Sequence, residues 1–262
     1  MNGCGAVSLN LPVQFEKVSS KKISDFIFGQ LEEAIILKEL KSDEQIPSER
    51  DLAVIFGASR LAVREALAQL EELGLVEKRV GAKGGTFILP LTLNSHRRNR
   101  EELIRNWDAL MEVFEYRTIV EPQAAHLAAR KITDEELHRL REYIEASTDP
   151  ACTRETFRAL DVQIHLSVAK ASGNAYLYRS IRQIRTKINP ALDLMPYNET
   201  IRSHNNEEHQ ALYQALSRRD AEASRDIMCR HISQSAEAIS SRMFEEQGDI
   251  PSTLDSAPTS RL

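Results

Sequence analysis

Pro47-Ser48-Glu49-Arg50-Asp51-Leu52-Ala53 leads, through Gly57-Ala58-Ser59-Arg60, into Val63-Arg64-Glu65-Ala66-Leu67. The reading of this stretch decides the fold. Ser48 follows a proline and stands three residues before Asp51, where a serine oxygen can accept from the orphan amides of a first helical turn. Leu52, Ala53 and Phe56 give that helix an apolar side, and Gly57 ends it. Ser59 is a second cap. The helix it opens carries Leu61, Ala62, Ala66, Leu67, Leu70 and Leu73 at helical spacing and stops at Gly74. Arg60 and Arg64, four apart, share one face near its N-terminal end. Two short helices joined by a tight turn, with arginines at the start of the second, form the pattern of a helix-turn-helix that reads the DNA major groove.

The flanks extend this pattern. Leu75–Val80 reads as a strand, Gly81-Ala82-Lys83-Gly84-Gly85 as a turn, and Thr86–Leu89 as the returning strand. The hairpin would form a wing, made basic by Lys78, Arg79 and Lys83, whose glycines let backbone approach a phosphate. Upstream, Ile23, Phe26, Ile27, Leu31, Ala34 and Ile35 form the apolar stripe of a first helix. The expectation is a winged helix-turn-helix over 17–90.

This segment resembles the DNA-binding domain of the GntR family of bacterial repressors. The resemblance rests on Pro47-Ser48-Glu49-Arg50, Leu52-Ala53, Gly57, Ser59-Arg60, Val63-Arg64-Glu65-Ala66-Leu67, Leu70, Gly74-Leu75-Val76 and Gly84-Gly85-Thr86-Phe87. It implies that Arg50, Arg60 and Arg64 contact DNA, that Ser59 meets a phosphate, and that the wing tip with Lys83 and Gly84 lies in or over the minor groove. Leu61 and Ala62 depart from the family's usual Thr and Pro. A leucine there can touch a thymine methyl but cannot hydrogen-bond a base.

At 262 residues the chain has room for two domains. Its net charge of -5 does not fit a nonspecific nucleic-acid binder. Residues 17–100 hold 14 Lys/Arg against 12 Asp/Glu, so positive charge must be concentrated locally. Three widely spaced cysteines, Cys4, Cys152 and Cys229, fit reduced thiols in a cytoplasmic protein. No apolar run reaches membrane-spanning length, and residues 1–16 lack the pattern of a secretory signal. Those residues read as a loose arm, 91–100 as a polar, basic linker and 248–262 as a disordered tail. From 101 to 247 the pattern is an all-α bundle, with helices near 101–106, 108–130, 133–147, 153–172, 175–188, 198–217 and 220–245. Pro122 falls inside the second of these. The fold class is mainly α: a winged helix-turn-helix followed by a helical bundle.

The bundle holds one constellation with chemical content. Asp161 and His165, four apart, project from one helix face. His209 and His231 lie about equally far from the turn Ser217-Arg218-Arg219-Asp220, so an antiparallel hairpin would set them face to face. Three imidazoles and a carboxylate suit a divalent metal. Histidines are more often structural, and His96, His138 and His204 are assigned to that class. Residues 108–240 resemble the FCD ligand-binding domain of the FadR branch of GntR regulators. The matching residues are Tyr116-Arg117, Glu121, Ala124-Ala125, Leu127-Ala128, Asp161 with His165, Ala171-Ser172-Gly173-Asn174, Glu208-His209, Leu212, Ala215-Leu216, Asp220, Ala223 and His231.

The FCD resemblance implies metal ligands at Asp161, His165, His209 and His231, with zinc first and nickel or manganese as alternatives. It also implies a small organic acid held by Arg117, whose fork suits a carboxylate, with Asn174 on the pocket wall. Glu121 would orient Arg117 or a histidine. Glu208, next to His209 and so on another face of its helix, is a poor general base.

Three readings follow. The first is a homodimeric, cytoplasmic, ligand-responsive regulator, a repressor and not an enzyme, that binds an inverted-repeat operator in double-stranded DNA. The second is a helical metalloenzyme fused to a DNA-binding module. The third is a regulator whose metal is purely structural.

Overall fold

Capping serines open both helices of the decisive stretch. The computed structural model describes residues 22–81, 84–90 and 103–244. In the first unit α1 spans Ile23–Ile36, α2 Glu49–Phe56 and α3 Arg60–Glu72. Ser48 Oγ accepts from the Asp51 amide at 3.2 Å, and Ser59 Oγ accepts from the Ala62 amide at 3.2 Å. Gly57, at φ 60°, closes α2 in the left-handed conformation that only glycine adopts cheaply. The stripe Ile27, Leu31 and Ile35 of α1 packs on Leu52, Val63, Ala66, Leu67 and Leu70. Leu61 is exposed beside the arginines.

The wing is present. Strand β1 (Val76–Arg79) pairs antiparallel with β2 (Gly85–Ile88), placing Val76 opposite Ile88 and Arg79 opposite Gly85. The segment before α2 joins on the other side of β2: Ile46 N–H donates to Thr86 O at 3.0 Å, and Ile88 N–H to Glu44 O at 3.0 Å. The need for glycine at the turn is internal. A Cβ on Gly84 would lie 2.5 Å from the Arg79 carbonyl oxygen, and one on Gly85 would lie 2.2 Å from Gln45 Nε2. Lys83 lies outside the described residues, as do the arm at 1–16, the linker at 91–100 and the tail at 248–262.

Six long helices form the second unit: α4 (Trp107–Lys131), α5 (Asp134–Thr148), α6 (Arg154–Ala171), α7 (Ala175–Leu192), α8 (Glu199–Ser217) and α9 (Ala221–Phe244). Thr133, Thr153, Asn174 and Asn198 cap α5 to α8. Helix α4 packs against α6, α7 and α9. Its buried Ala124, Ala125, Ala128 and Ala129 let those neighbours come close. It runs unbroken through Pro122, which removes one backbone donor from the helix. Helix α7 continues through Pro190 to Leu192, past the expected end at 188, because Ala191 and Leu192 bury against Leu110 and Phe114 of α4.

The two units meet at the end of α1. Leu37 is fully buried among Ala124, Val162, Leu166, Ala169 and Ile181. Lys38, at φ 57°, pairs with Asp193 at 2.9 Å. Arg182 of α7 bonds Glu33 at 2.7 Å and also Glu39, and Asn189 donates to the Ile36 carbonyl oxygen at 3.2 Å. Residues 182, 185 and 189 share one face of α7. That face therefore runs from the DNA-reading unit toward the bundle interior.

Candidate functional site

Asp161 and His165 stand one turn apart on α6, His209 is on α8, and His231 is on α9. All four are buried, and one potential ligand atom from each lies within 4.8 Å of the others. The hairpin of α8 and α9 brings the rings of His209 and His231 to 4.9 Å between centroids. His165 Nε2 and His231 Nε2 face each other at 3.2 Å, while Asp161 Oδ1 lies 3.6 Å from His209 Nε2 and 3.8 Å from His165 Nε2.

The outward nitrogens explain this convergence. His165 Nδ1 meets Glu121 Oε2 at 2.5 Å, and His231 Nδ1 meets Glu208 Oε2 at 2.7 Å. A carboxylate at Nδ1 holds the proton there and leaves the Nε2 lone pair pointing inward. Two lone pairs at 3.2 Å repel unless an electrophile lies between them. Neither ring nitrogen of His209 has a partner among the described residues, although both are buried. Orphaned inward nitrogens, a carboxylate beside them and carboxylate-oriented imidazoles make a donor set that fits a divalent transition metal.

Protonation states agree with that fit. Burial lowers the His165 imidazole from 6.5 to about 4, against the pull of Glu121. Burial and the nearby His231 push His209 well down. Both rings are thus neutral at pH 7, the form that ligates. Burial alone would raise the Asp161 carboxyl, but Arg185 and the histidines hold it well below the usual range. Burial likewise opposes ionisation of Glu121, and Arg117 with His165 overcomes it.

Arg117 is in the cluster, and Glu121 bonds both it and His165. It is buried and donates from Nε to Glu121 Oε1 at 2.7 Å, with Nη1 3.5 Å from Ser235 Oγ. It therefore braces Glu121, which in turn braces His165. Glu208 reaches across the hairpin to His231 and not to its neighbour His209. Asn174 uses its side-chain oxygen to cap α7, accepting from Tyr176 and Leu177 amides at 2.9 and 3.3 Å. Its described hydrogen bonds stay within that turn.

Two arginines escaped sequence reasoning. Arg185 of α7 donates from Nη2 to Asp161 Oδ2, and its buried Nε and Nη1 have no partner among the described residues. Arg158, one turn before Asp161, reaches the Met195 carbonyl oxygen at 3.4 Å and leaves its Nε unpartnered. A signal for the first was present: Arg185 occupies the inward stripe otherwise made by Ile181, Ile184 and Ile188.

On the other unit, Arg50, Arg60 and Arg64 are exposed. Arg64 pairs with Glu49 at 3.0 Å and Arg50 with Asp51 at 3.4 Å. The wing is less basic than its composition indicates. Lys78 pairs with Glu71 at 3.3 Å, and Arg79 sits between Glu77 at 2.6 Å and Asp43 at 3.2 Å.

Comparison with known proteins bears on both units. Residues 23–88 match "Bacterial regulatory proteins, gntR family", and residues 112–234 match the FCD domain. The chain belongs to the GntR family. Among its GntR relatives, LutR, an HTH-type transcriptional regulator of Bacillus subtilis (strain 168), is 28% identical over 217 residues, covering 79% of this chain and 96% of that one. The HTH-type transcriptional repressor NanR of Cronobacter sakazakii (strain ATCC BAA-894) is 27% identical over 225 residues, covering 82% and 84%. The Uxu operon transcriptional regulator of Escherichia coli (strain K12) is 27% identical over 232 residues, covering 83% and 85%. In fold the chain is similar to the solved structure of E. coli McbR/YncC, with a TM-score of 0.52, 19% identity and coverage of 85% and 99%. As a GntR member this protein is a DNA-binding regulator of transcription and not an enzyme. Among the described residues no helix is long and apolar enough to cross a membrane.

Proposed function

We propose that this GntR regulator is a homodimeric, cytoplasmic repressor whose helical unit holds a divalent metal and responds to a small organic acid. The observation that carries the reading is that buried Asp161, His165, His209 and His231 each place a ligand atom within 4.8 Å of the others, with both His209 nitrogens unpartnered among the described residues. Asp161, His165, His209 and His231 would hold the metal, with zinc favoured by the nitrogen-rich set and nickel or manganese as alternatives. When bound, the metal supplies a Lewis-acidic position open to a ligand oxygen. Arg117 would meet the acid's carboxylate with the guanidinium donors not used on Glu121 and Ser235, and Asn174 can offer only its Nδ2 because its oxygen caps α7.

The DNA side of the proposal rests on α3. Arg60 and Arg64 reach base edges, Arg50 and Ser59 reach the backbone, and Lys83 and Gly84 bring the wing tip to the adjoining groove. Two copies would read the halves of an inverted repeat. Helix α7 supports coupling between the units, since Arg185 holds a ligand candidate while Arg182 and Asn189 hold α1. A ligand that favours one placement of α7 would shift the DNA-binding equilibrium by its differential affinity for the two placements.

The test is metal content. Elemental mass spectrometry of the purified chain should find one divalent transition metal per protomer, and His209→Ala should lose it together with several degrees of melting temperature. An unchanged metal content in the variant removes His209 from the set. A wild type that cannot be loaded ends the metal reading.

A further inference from the structure

We infer that the acid this protein senses is a dianion, and that Arg185 and Arg158 form the subsite for its second acidic group. The inference rests on the acid-sensing reading above and names the class of acid. Its starting point is hydrogen-bond demand. Arg185 Nε and Nη1 and Arg158 Nε are buried and without partners among the described residues. Arg185 is 1% and Arg158 7% exposed. A buried guanidinium N–H left unmade costs free energy, and a charged one costs more. These donors therefore call for an acceptor that the protein itself does not supply.

Charge leads to the same conclusion. The buried guanidiniums at the cluster are Arg117, Arg158 and Arg185, and its buried carboxylates are Glu121 and Asp161. Asp193, beside Arg158, is paired with Lys38. The buried cations already outnumber the buried anions, so a divalent cation in the histidine set leaves at least two positive charges uncompensated among side chains almost closed to water. One carboxylate would neutralise at most half of that and leave the guanidinium donors unmet. Two acidic groups on one small molecule meet both demands: one beside the histidines and Asp161, the other on Arg185 and Arg158. Asp161 stands between the two subsites, with Oδ1 toward the histidines and Oδ2 on Arg185.

The alternative roles for these arginines predict different behaviour. If Arg185 served only to orient Asp161, the number of acidic groups on the ligand would not matter. If trapped water satisfied the free donors, a monoacid and a diacid would bind alike. Calorimetry on the zinc-loaded full chain with chain-matched pairs separates these cases: propanoate against propanedioate, butanoate against butanedioate, and pentanoate against pentanedioate. For at least one pair the diacid should bind about tenfold to a hundredfold more tightly.

Arg158→Gln, which touches no metal ligand, should erase most of that preference while leaving zinc content and monoacid affinity as in wild type. Arg185→Lys keeps a cation for Asp161 but lacks the extra donors, and should likewise lose most of the diacid preference. Melting curves on both variants verify the fold. Equal binding of acid and diacid by the wild type overturns this inference and leaves the acid-sensor reading standing. A preference that survives both substitutions also overturns it. Failure of every acid to bind removes the acid-sensor reading as well.

Discussion

Metal-free protein should lose stability as pH falls from 7.5 to 5. The size follows from His165, whose ordinary value of 6.5 drops to about 4 in the folded chain because burial disfavours the imidazolium. Between those values the unfolded chain binds a proton that the folded chain refuses, so stability rises with pH across the window. The contribution is complete above 6.5 and is withdrawn as pH falls toward 4. From His165 alone the loss amounts to about 2 kcal/mol by pH 5 and about 3 kcal/mol by pH 4. His209 is displaced in the same direction and adds to it. The carboxylates Asp161 and Glu121 are held low instead, so their contribution disappears only below the ordinary carboxylate range, outside this window.

Trp107, the single tryptophan, lies at the start of α4 and reports on the helical unit by fluorescence. Urea unfolding of chelator-treated protein at pH 7.5, 6 and 5 should show the midpoint falling, with His165→Gln falling less. A midpoint that stays flat from 7.5 to 5 would refute the claim that neutral buried imidazoles are built into the folded state.

Three further outcomes follow from the same geometry. Glu208→Gln should weaken zinc affinity about tenfold to a hundredfold without removing a ligand, because the carboxylate at His231 Nδ1 fixes the tautomer and orientation that turn Nε2 inward; competition with a chromophoric chelator measures it. Arg60→Ala should cost about 1–3 kcal/mol of specific operator affinity in a gel-shift titration, because this exposed arginine makes no ion pair among the described residues and is available to a base. Gly84→Ala should weaken operator binding while leaving the melting temperature of the helical unit unchanged, since its Cβ would meet the Arg79 carbonyl oxygen at 2.5 Å and force the wing turn open.

Much of this molecule is legible in one dimension because its signals are local. Ser48, Gly57 and Ser59 act within one helical turn, and a cap needs no knowledge of the rest of the chain. The pairing of His209 with His231 was likewise readable from their distances to the Arg219 turn. The misses involve partners far apart in sequence. That Glu208 serves His231 depends on the rotation of α8 about its axis, which periodicity leaves open. Arg185 was hidden because a charged residue on a helix is normally read as solvated, although its place among Ile181, Ile184 and Ile188 marks it as inward. The wing's basic residues looked free because two of their three acids come from elsewhere: Glu71 from the end of α3 and Asp43 from the turn before α2, beside Glu77 of the same strand.

In the proposed mechanism the buried cluster senses an acid and α7 carries the response to the DNA-reading unit. It is tested most directly by titrating zinc-loaded protein onto its operator with and without saturating diacid, in wild type and in Arg182→Ala, which cuts the tie to Glu33 and Glu39. The account predicts that at least one diacid changes wild-type operator affinity by tenfold or so, and that Arg182→Ala binds the same diacid yet shows a much smaller change. An operator affinity that no acid in the panel alters would contradict the claim, and so would a full response in Arg182→Ala.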